Sequence, residues 1–556
     1  MMARQPDLVF LPLGGVGEIG MNLGLYGYGT PGKRDWLMVD CGVSFAAEEH
    51  LPGVDLILPD ITFIEEERGA LHGIVLTHAH EDHFGALPDL WPRLKAKVYA
   101  TPFTANLLEA KLTEEPGAPD IPIETVPVGG RFKVGPFDIE LIAVTHSIPE
   151  PNAVVIRTPV GAVLHTADWK IDTDPVVGPP FDPAPFIALG DEGCRAMVCD
   201  STNVLREGRS PGEGDVRKGL AQVIAESPQR VAVTAFASNV ARIHSIAEAA
   251  ANAGRSVVVV GRAMKRVITV ARELGMLKGL PEFLGEEMYD SLPRQNVVLL
   301  CTGSQGEPRA ALTRIAQGSH HIKLAPGDRV VYSARTIPGN EREIGNVVNA
   351  LVKSGIEIVT DRDAMVHVSG HPRRDELTDM YGWVKPEVAV PVHGEAQHLA
   401  AHASLARHLH VPEVVQAFNG DMVRLAPGPA EVVDEAVAGR LYKDGRLIIR
   451  ADADAVRERR KLSYVGYVGV ALAVDERGEQ IGEIEVDLDG VPDRDGKGVP
   501  FLDIVHETVD DVLSGLPRAR RRDPDALAES VRRAVRNAVN AGWGKKPICH
   551  VFVITV

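Results

Sequence analysis

The stretch Leu76-Thr77-His78-Ala79-His80-Glu81-Asp82-His83 decides how this chain is read. It continues an apolar run, Gly73-Ile74-Val75-Leu76, that reads as a buried strand. Three histidines and one aspartate then fall within six residues of turn-forming sequence. Imidazole and carboxylate are ordinary ligands of zinc and similar divalent ions. The H-x-H-x-D-H spacing lets His78 and His80 face one ion while Asp82 and His83 turn toward a second. Two neighbouring ions suit phosphodiester hydrolysis, because together they activate water and clamp developing charge. A polar surface turn would account for a lone histidine. Four ligand-type residues in this order at a strand's end point to metal.

Working outward toward the N-terminus, Trp36-Leu37-Met38-Val39 reads as a strand that ends in Asp40-Cys41-Gly42. Asp40 is placed to orient a metal-bound histidine; capping a turn is its plainer role. Leu8 to Leu13 reads as another strand, followed by Gly14-Gly15-Val16-Gly17-Glu18-Ile19-Gly20. This contains a formal G-x-G-x-x-G. A dinucleotide site needs a helix next, but Met21 to Tyr28 alternates with glycine like a strand. The glycines therefore read as a hairpin loop, and a nicotinamide cofactor is rejected.

Toward the C-terminus, Phe84 to Pro88 opens a helix, Val98 to Ala100 is a strand and Thr104 to Lys111 a helix. Asp138 to Val144 alternates as a strand and delivers Thr145-His146-Ser147. Ala162 to Ala167 delivers Asp168, and Ala196 to Cys199 delivers Asp200. Ligand-type residues at successive strand ends are what convergence on one sheet edge requires. From about residue 206 to 362 the pattern becomes a compact α/β insert, with strands at Val231–Thr234, Ser256–Val260, Val297–Cys301 and Arg329–Ser333. Two of its strand ends, Thr302-Gly303-Ser304-Gln305-Gly306-Glu307 and Ser333 to Glu341, carry the small residues that can present N–H groups to phosphate, though on spacing alone plain turn chemistry is the favoured reading. Ligand-type residues then return. Val366-His367-Val368-Ser369-Gly370-His371-Pro372 is expected to end one strand, and Val388 to Glu395, with His393, ends the next.

Composition narrows the class. The chain has 556 residues, enough for two to four domains. It is 45% hydrophobic and 24% charged, as expected of a globular protein without a membrane span. The N-terminus lacks the apolar segment of a secretory signal. Five scattered cysteines argue against a disulfide framework and for a reducing cytoplasm. A net charge of −17 does not advertise nucleic-acid binding, yet metal ions and a local basic groove can serve a polyanion. Near the end, a charged stretch at Arg457-Glu458-Arg459-Arg460-Lys461 reads as a linker. A small α/β unit follows, with strands at Val465–Val474, Glu483–Leu488 and Ile548–Val556 and a helix at Pro524–Ala541. The basic run Arg518 to Arg522 reads as a solvated helix approach.

The histidine motif resembles that of the metallo-β-lactamase superfamily of hydrolases. Interruption by an α/β domain, with S-G-H-P and P-V-H-G-E on return, resembles its β-CASP nucleases. Within them, G-G-V-G-E-I-G-M-N, T-H-A-H-E-D-H, T-G-S-Q-G-E-P, the I-P-G-N-E loop and S-G-H-P are similar to the bacterial ribonuclease J family. Met21 stands where a lysine is common in such sequences. The resemblance implies an αββα sandwich at 1–205 and 363–447, a β-CASP domain at 206–362, a linker at 448–463 and a C-terminal domain at 464–556. It implies that His78, His80 and His146 hold one ion, that Asp82, His83 and His393 hold the other, and that Asp168 bridges both. Asp40 and Asp200 would act as supporting acids, and His371 would stand beside the scissile phosphate. Ser369 and Gly370, with Ser333 and Arg335, would receive a 5′-phosphate. His165, His367 and His398 are neighbours that match no motif position.

The implied activity is metal-dependent 5′-to-3′ exonucleolytic and endonucleolytic cleavage of single-stranded RNA, in mRNA decay and in RNA maturation that includes rRNA. The implied chemistry is attack by a hydroxide held at a two-metal site, leaving 5′-phosphate and 3′-hydroxyl ends. Zn2+ is the expected ion, with Mn2+ or Mg2+ as alternatives. RNA with a 5′-monophosphate, a second copy of the chain (or a tetramer) and other RNA-decay proteins are the implied partners. Two other classes stay open at this point. A thioesterase or β-lactamase needs the His/Asp cluster but not the insert, and a non-catalytic RNA-binding scaffold should have lost ligands.

Overall fold

Strand Asp7–Gly14 is buried along its whole length, as a central strand covered on both faces must be. In the computed structural model, which describes residues 5–45, 51–337 and 339–556, it lies between Asp421–Ala426 and Leu23–Thr30. The sheet continues through Lys33–Val39, Leu71–Val75, Val98–Ala100 and Ile123–Thr125. The glycine-rich segment is a hairpin connection, as read: Leu11 pairs with Leu25 and Gly14 with Leu23, antiparallel.

A second sheet runs through Arg131–Val134, Phe137–Ala143, Asn152–Thr158, Gly161–His165, Cys194–Asp200, Val388–Val392 and Glu413–Val414. The two sheets share one core. Phe10, Tyr26 and Val39 of the first pack with Leu141, Val154, Val198 and Val390 of the second. Helices Ala184–Glu192, Arg374–Val384 and Ala396–His408 cover the second sheet's other face through Phe186, Leu377, Met380 and Leu405. Helix Pro102–Glu114 packs against the first sheet. The result is a helix–sheet–sheet–helix sandwich whose second half returns after a long insertion.

The insertion is a doubly wound α/β layer. Its strands stand in the order Ser256–Val260, Val297–Cys301, Val231–Thr234, Arg329–Tyr332, Glu357–Val359, all parallel. Parallel neighbours need crossovers, and helices supply them. The loops that begin at Thr302 and Ser333 both leave the C-terminal ends of these strands, where open α/β sheets bind ligands.

A smaller compact unit is built on Tyr442–Val556. Its sheet places Tyr467–Val474 between Gln480–Asp489 and Ile548–Thr555. Val468, Val470, Leu472 and Val474 alternate onto one face. That face packs on helices Phe501–Gly515 and Pro524–Trp543, whose Val505 and Val509, and Leu527, Val531, Val535 and Val539, recur every four residues. Asp523 caps the longer helix by accepting from Asp525 N and Ala526 N.

Two expectations change and one helix is new. The stretch read as a charged linker lies in helix Asp454–Val465, because long straight charged side chains are good helix formers. Helix Phe501–Gly515 went unread in the sequence. Val366–Val368 is not a strand; the Val366 carbonyl is taken by side chains of Ser333 and Arg242 instead of a ladder partner. No described helix is long and apolar enough to cross a membrane.

Candidate metal centre

The metal-type side chains gather at one end of the sandwich, most of them on loops that leave a strand, with Asp82 and His83 in the short helix Glu81–Phe84. His78 Nε2, His80 Nδ1 and His146 Nε2 point at a common centre, with His80 Nδ1 3.1 Å from each of the other two. Asp168 Oδ2 lies 3.8 Å from His78 Nε2 and 3.5 Å from His146 Nε2. Beside this group, Asp82, His83, Asp168 and His393 form a second one. Asp82 Oδ2 is 3.7 Å from His83 Nε2 and 3.5 Å from His393 Nε2. Asp168 Oδ2 is 3.3 Å from His83 Nε2. Asp168 is therefore common to both groups.

Local structure aims these atoms. His78 Nδ1–H donates to Thr77 Oγ1 at 3.0 Å, and Thr77 Oγ1–H donates to Asp40 Oδ2 at 2.8 Å. The same carboxylate oxygen accepts from His83 Nδ1 at 2.7 Å. Asp40 thus orients one histidine of each group, leaving Nε2 of both free to ligate. It does so from a left-handed backbone conformation, φ 64°. Gly42 follows because Cys41 N–H donates to His83 O and a Cβ at position 42 would lie 1.7 Å from Asp82 O. His146 is aimed from the opposite side. Its Nδ1–H donates to Gly370 O at 2.6 Å, and a Cβ at position 370 would stand 2.5 Å from the His146 ring.

The two groups differ electrostatically. Burial, then the neighbouring His83 and His80, drives His78 well below its ordinary value. Burial lowers His80 to about 4 and holds His146 well below its ordinary value. These rings are neutral and offer lone pairs. Burial opposes charge on His83 too, but Asp168, Asp82 and Asp40 together hold it well above its ordinary value. Burial likewise opposes charge on His393, yet Asp168 and Asp82 bring it to about 10. Asp168, despite burial, is held well below the carboxylate range by His393, His83 and His371.

These residues fit a pair of divalent ions. At zinc–nitrogen distances of ~2.0–2.1 Å, tetrahedral ligand atoms stand about 3.3 Å apart, close to the separations here. Asp168 Oδ1 and both ring nitrogens of His393 are buried without a hydrogen-bond partner, although His393 Nδ1 and Asp168 Oδ1 stand 2.7 Å apart. That close pair lacks hydrogen-bonding geometry. Orphaned buried polar atoms are costly, and a cation between them removes the cost.

His371 stands at the rim, with its side chain 19% exposed. Its Nδ1–H donates to Asp200 Oδ2 at 2.8 Å. Burial would lower it, but Asp200 and Asp168 raise it above the ordinary imidazole value. Asn203 Nδ2 donates to Ser369 Oγ at 2.8 Å and to His371 O at 3.1 Å. Arg335, from the insert, reaches Asn203 Oδ1 at 3.4 Å. Gly370 is committed through its carbonyl to His146. Ser333 corrects its expected part in the phosphate pocket. It is 2% exposed; its hydroxyl donates to Val366 O at 2.7 Å and accepts from Arg242. Among the bystanders, His165 accepts from Tyr26 OH at 2.9 Å and lines a cavity of about 20 Å³ behind the centre, room for about one water. His398 accepts from Glu395 N at the start of its helix. Both ring nitrogens of His367 are buried and unpartnered.

Sequence reasoning missed several residues that build this site. Asn22 Nδ2 lies 3.1 Å from Asp82 O and 3.0 Å from His83 Nε2. Its only signal was its place at the end of the glycine-rich motif. Thr77 and Gln305 lie inside the T-H-A-H-E-D-H and T-G-S-Q-G-E-P motifs without a role read for them, and Asn203 carries no pattern of its own. Gln305 Nε2 donates to Arg335 O at 2.8 Å, while its Oε1 accepts from Ile337 N at 2.8 Å.

A sandwich with paired His/Asp donor groups and an inserted parallel α/β layer defines a metallo-β-lactamase-type hydrolase of the β-CASP class. Family profiles agree. Residues 35–189 match a beta-lactamase superfamily domain, 228–351 the domain described as Ribonuclease J, beta-CASP domain, 355–415 a Zn-dependent metallo-hydrolase RNA specificity domain, and 454–556 the Ribonuclease J C-terminal domain. Ribonuclease J of Sinorhizobium meliloti is 54% identical over 556 residues, spanning 100% of this chain and 98% of that protein. Ribonuclease J of Mycolicibacterium smegmatis is 39% identical over 98% of this chain and 96% of its own. Ribonuclease J of Thermus thermophilus is 36% identical over 85% and 83%. The chain belongs to the ribonuclease J family, and is a metal-dependent ribonuclease. The fold is also that of a protein of unknown function from Enterococcus faecalis V583, at TM-score 0.51 and 16% identity over 75% of this chain and 100% of that one.

Proposed function

We propose that this ribonuclease combines 5′-to-3′ exonucleolytic and endonucleolytic cleavage of single-stranded RNA, leaving 5′-phosphate and 3′-hydroxyl ends, in mRNA decay and RNA maturation. The observation that carries the reading is the orphaned set of Asp168 Oδ1 and the two His393 ring nitrogens, ringed by the other ligand-type atoms. His78, His80, His146 and Asp168 would hold one ion, and Asp82, His83, His393 and Asp168 the other. Imidazole-rich sets of this kind favour zinc, with manganese or magnesium as the other candidates. Bound there, the ions would supply Lewis acidity toward water and the scissile phosphate.

The chain's own residues do the rest. Asp200 accepts a hydrogen bond from His371 Nδ1–H, so Nε2–H is left to face substrate. The raised affinity of His371 for its proton keeps it a donor, able to stabilise charge on the phosphate or to protonate the leaving 3′-oxygen. Arg335 and Ser369 meet through Asn203, which supports a role for them, with the Gly370 backbone, in holding a 5′-monophosphate. Five free, buried cysteines are consistent with a reducing cytoplasm. The C-terminal domain would serve self-assembly as a dimer or tetramer.

The test is a 5′-labelled, monophosphorylated RNA incubated with metal-stripped protein reloaded with Zn2+, Mn2+ or Mg2+. Mononucleotide release from the earliest time points shows exonucleolysis, and internal fragments show endonucleolysis. No product with any of the three ions overturns the proposal.

A further inference from the structure

The chemistry above leaves unused a chain of four buried charges between the sandwich and the inserted domain. Lys170 and Asp172 follow the bridging Asp168. Glu213 opens helix Glu213–Glu226, and Arg242 lies in the first turn of helix Val240–Asn252. None is more than 1% exposed. Lys170 Nζ lies 2.8 Å from Asp172 Oδ2, and that oxygen also accepts from Glu213 N at 2.8 Å. The Glu213 carboxylate accepts from Arg242 Nη2 at 2.9 Å and Nε at 3.2 Å. Arg242 Nη1 then donates to Ser333 O at 2.8 Å, Ser333 Oγ at 2.6 Å and Val366 O at 3.2 Å.

Stability alone does not account for such a set, since a buried ion pair is often matched by well-packed apolar side chains. Its geometry gives a better reason. A guanidinium is a rigid planar fork that holds several acceptors in fixed relation. Here the acceptors open two substrate-facing segments. Ser333 leads into Arg335, and Val366 leads into Ser369-Gly370-His371. At its other end the chain is tied to the ligand loops: Lys170 N donates to Thr145 O at 2.8 Å, next to His146. Charged side chains and backbone hydrogen bonds together thus link the metal-binding loops to both segments.

We propose that Arg242 is a positioning residue: its guanidinium sets the register between the Ser333–Ile337 loop and the Val366–His371 segment, and so places the scissile phosphate over the metal centre. This rests on the ribonuclease reading. Arg242→Lys keeps a charge for Glu213 but cannot reach all of these acceptors. Ser333→Ala removes one hydroxyl and leaves the carbonyl.

The experiment measures kcat and KM on 5′-monophosphate RNA, with bound metal and the thermal midpoint. Arg242→Lys should lower kcat about tenfold or more, with KM within about threefold and bound metal unchanged. Ser333→Ala should show the same pattern at about threefold, and the double variant should fall no further than Arg242→Lys alone, because both act through one junction. An unchanged kcat in folded Arg242→Lys, a loss that tracks bound metal, or effects that multiply in the double variant would overturn the proposal. If Arg242→Lys does not fold, Ser333→Ala decides beside Ser333→Thr, which keeps the hydroxyl. A loss in Ala restored in Thr supports the junction, and full activity in Ala overturns it. An unmodified protein that cleaves no RNA fails the ribonuclease reading instead.

Discussion

The two halves of the metal centre solve the same problem in opposite ways. The His78, His80 and His146 half is made of rings kept neutral by burial, each turned by a hydrogen bond on its far nitrogen or by the turn that carries it. The Asp82, His83 and His393 half is made of rings whose affinity for a proton the neighbouring carboxylates raise. The first half offers lone pairs outright. In the second, an ion must replace protons that Asp168 and Asp82 already stabilise. Asp168 belongs to both, and Asp40 orients one histidine in each. The lesson is that pairing, not any single ligand, is the unit of design, so the informative substitutions are those that act on both halves against those that act on one.

The largest effect should come from the shared ligand. Asp168→Ala is expected to abolish hydrolysis and to lower bound metal in both halves, with the fold kept by circular dichroism. His80→Ala should also abolish hydrolysis but lower bound metal less. Full metal occupancy in Asp168→Ala would break the comparison at its centre.

His371 lies outside both halves, and His371→Ala should separate transition-state stabilisation from ligation. A loss in kcat of about 100-fold or more is expected, with metal content and RNA binding retained. Loss of metal together with activity would make His371 a ligand.

Asp40→Asn sharpens the contrast from behind. It disturbs His83 directly and His78 through Thr77, so metal affinity should fall about 10–100-fold and in both halves together. A titration in which only one ion weakens would show that Asp40 serves one half.

The smallest effect concerns the chain end. The unmodified enzyme should degrade 5′-monophosphate RNA faster than 5′-triphosphate RNA, and Arg335→Ala should narrow that difference while internal cleavage continues. Equal rates on the two RNAs before mutation would remove the pocket; a preference untouched by Arg335→Ala would move it to the Ser369-Gly370 backbone.

The ligand-type residues were legible in the chain because each belongs to a short local pattern: H-x-H-x-D-H after an apolar run, or a lone His or Asp where an alternating strand stops. The insert and the return followed from the same punctuation, since strand periodicity and strand ends are properties of neighbouring residues, whereas the sandwich was what the family resemblance implied. The linker misreading shows the limit of composition, as charge marks exposure and says little about whether a segment is helical.

What only the tertiary structure decided lies in partners distant in sequence. Asp40 and His83 are 43 positions apart, Ser333 and Val366 33, and Arg242 and Val366 124. The sequence names Ser333 as a small polar residue at a strand's end, placed to greet a phosphate or simply to serve a turn. Burial at 2% and an acceptor carbonyl 2.7 Å away decide for the junction. Residue type sets which hydrogen bonds and ligations a side chain can make. Which of them it does make is fixed when packing brings remote donors and acceptors together and removes water as the competing partner.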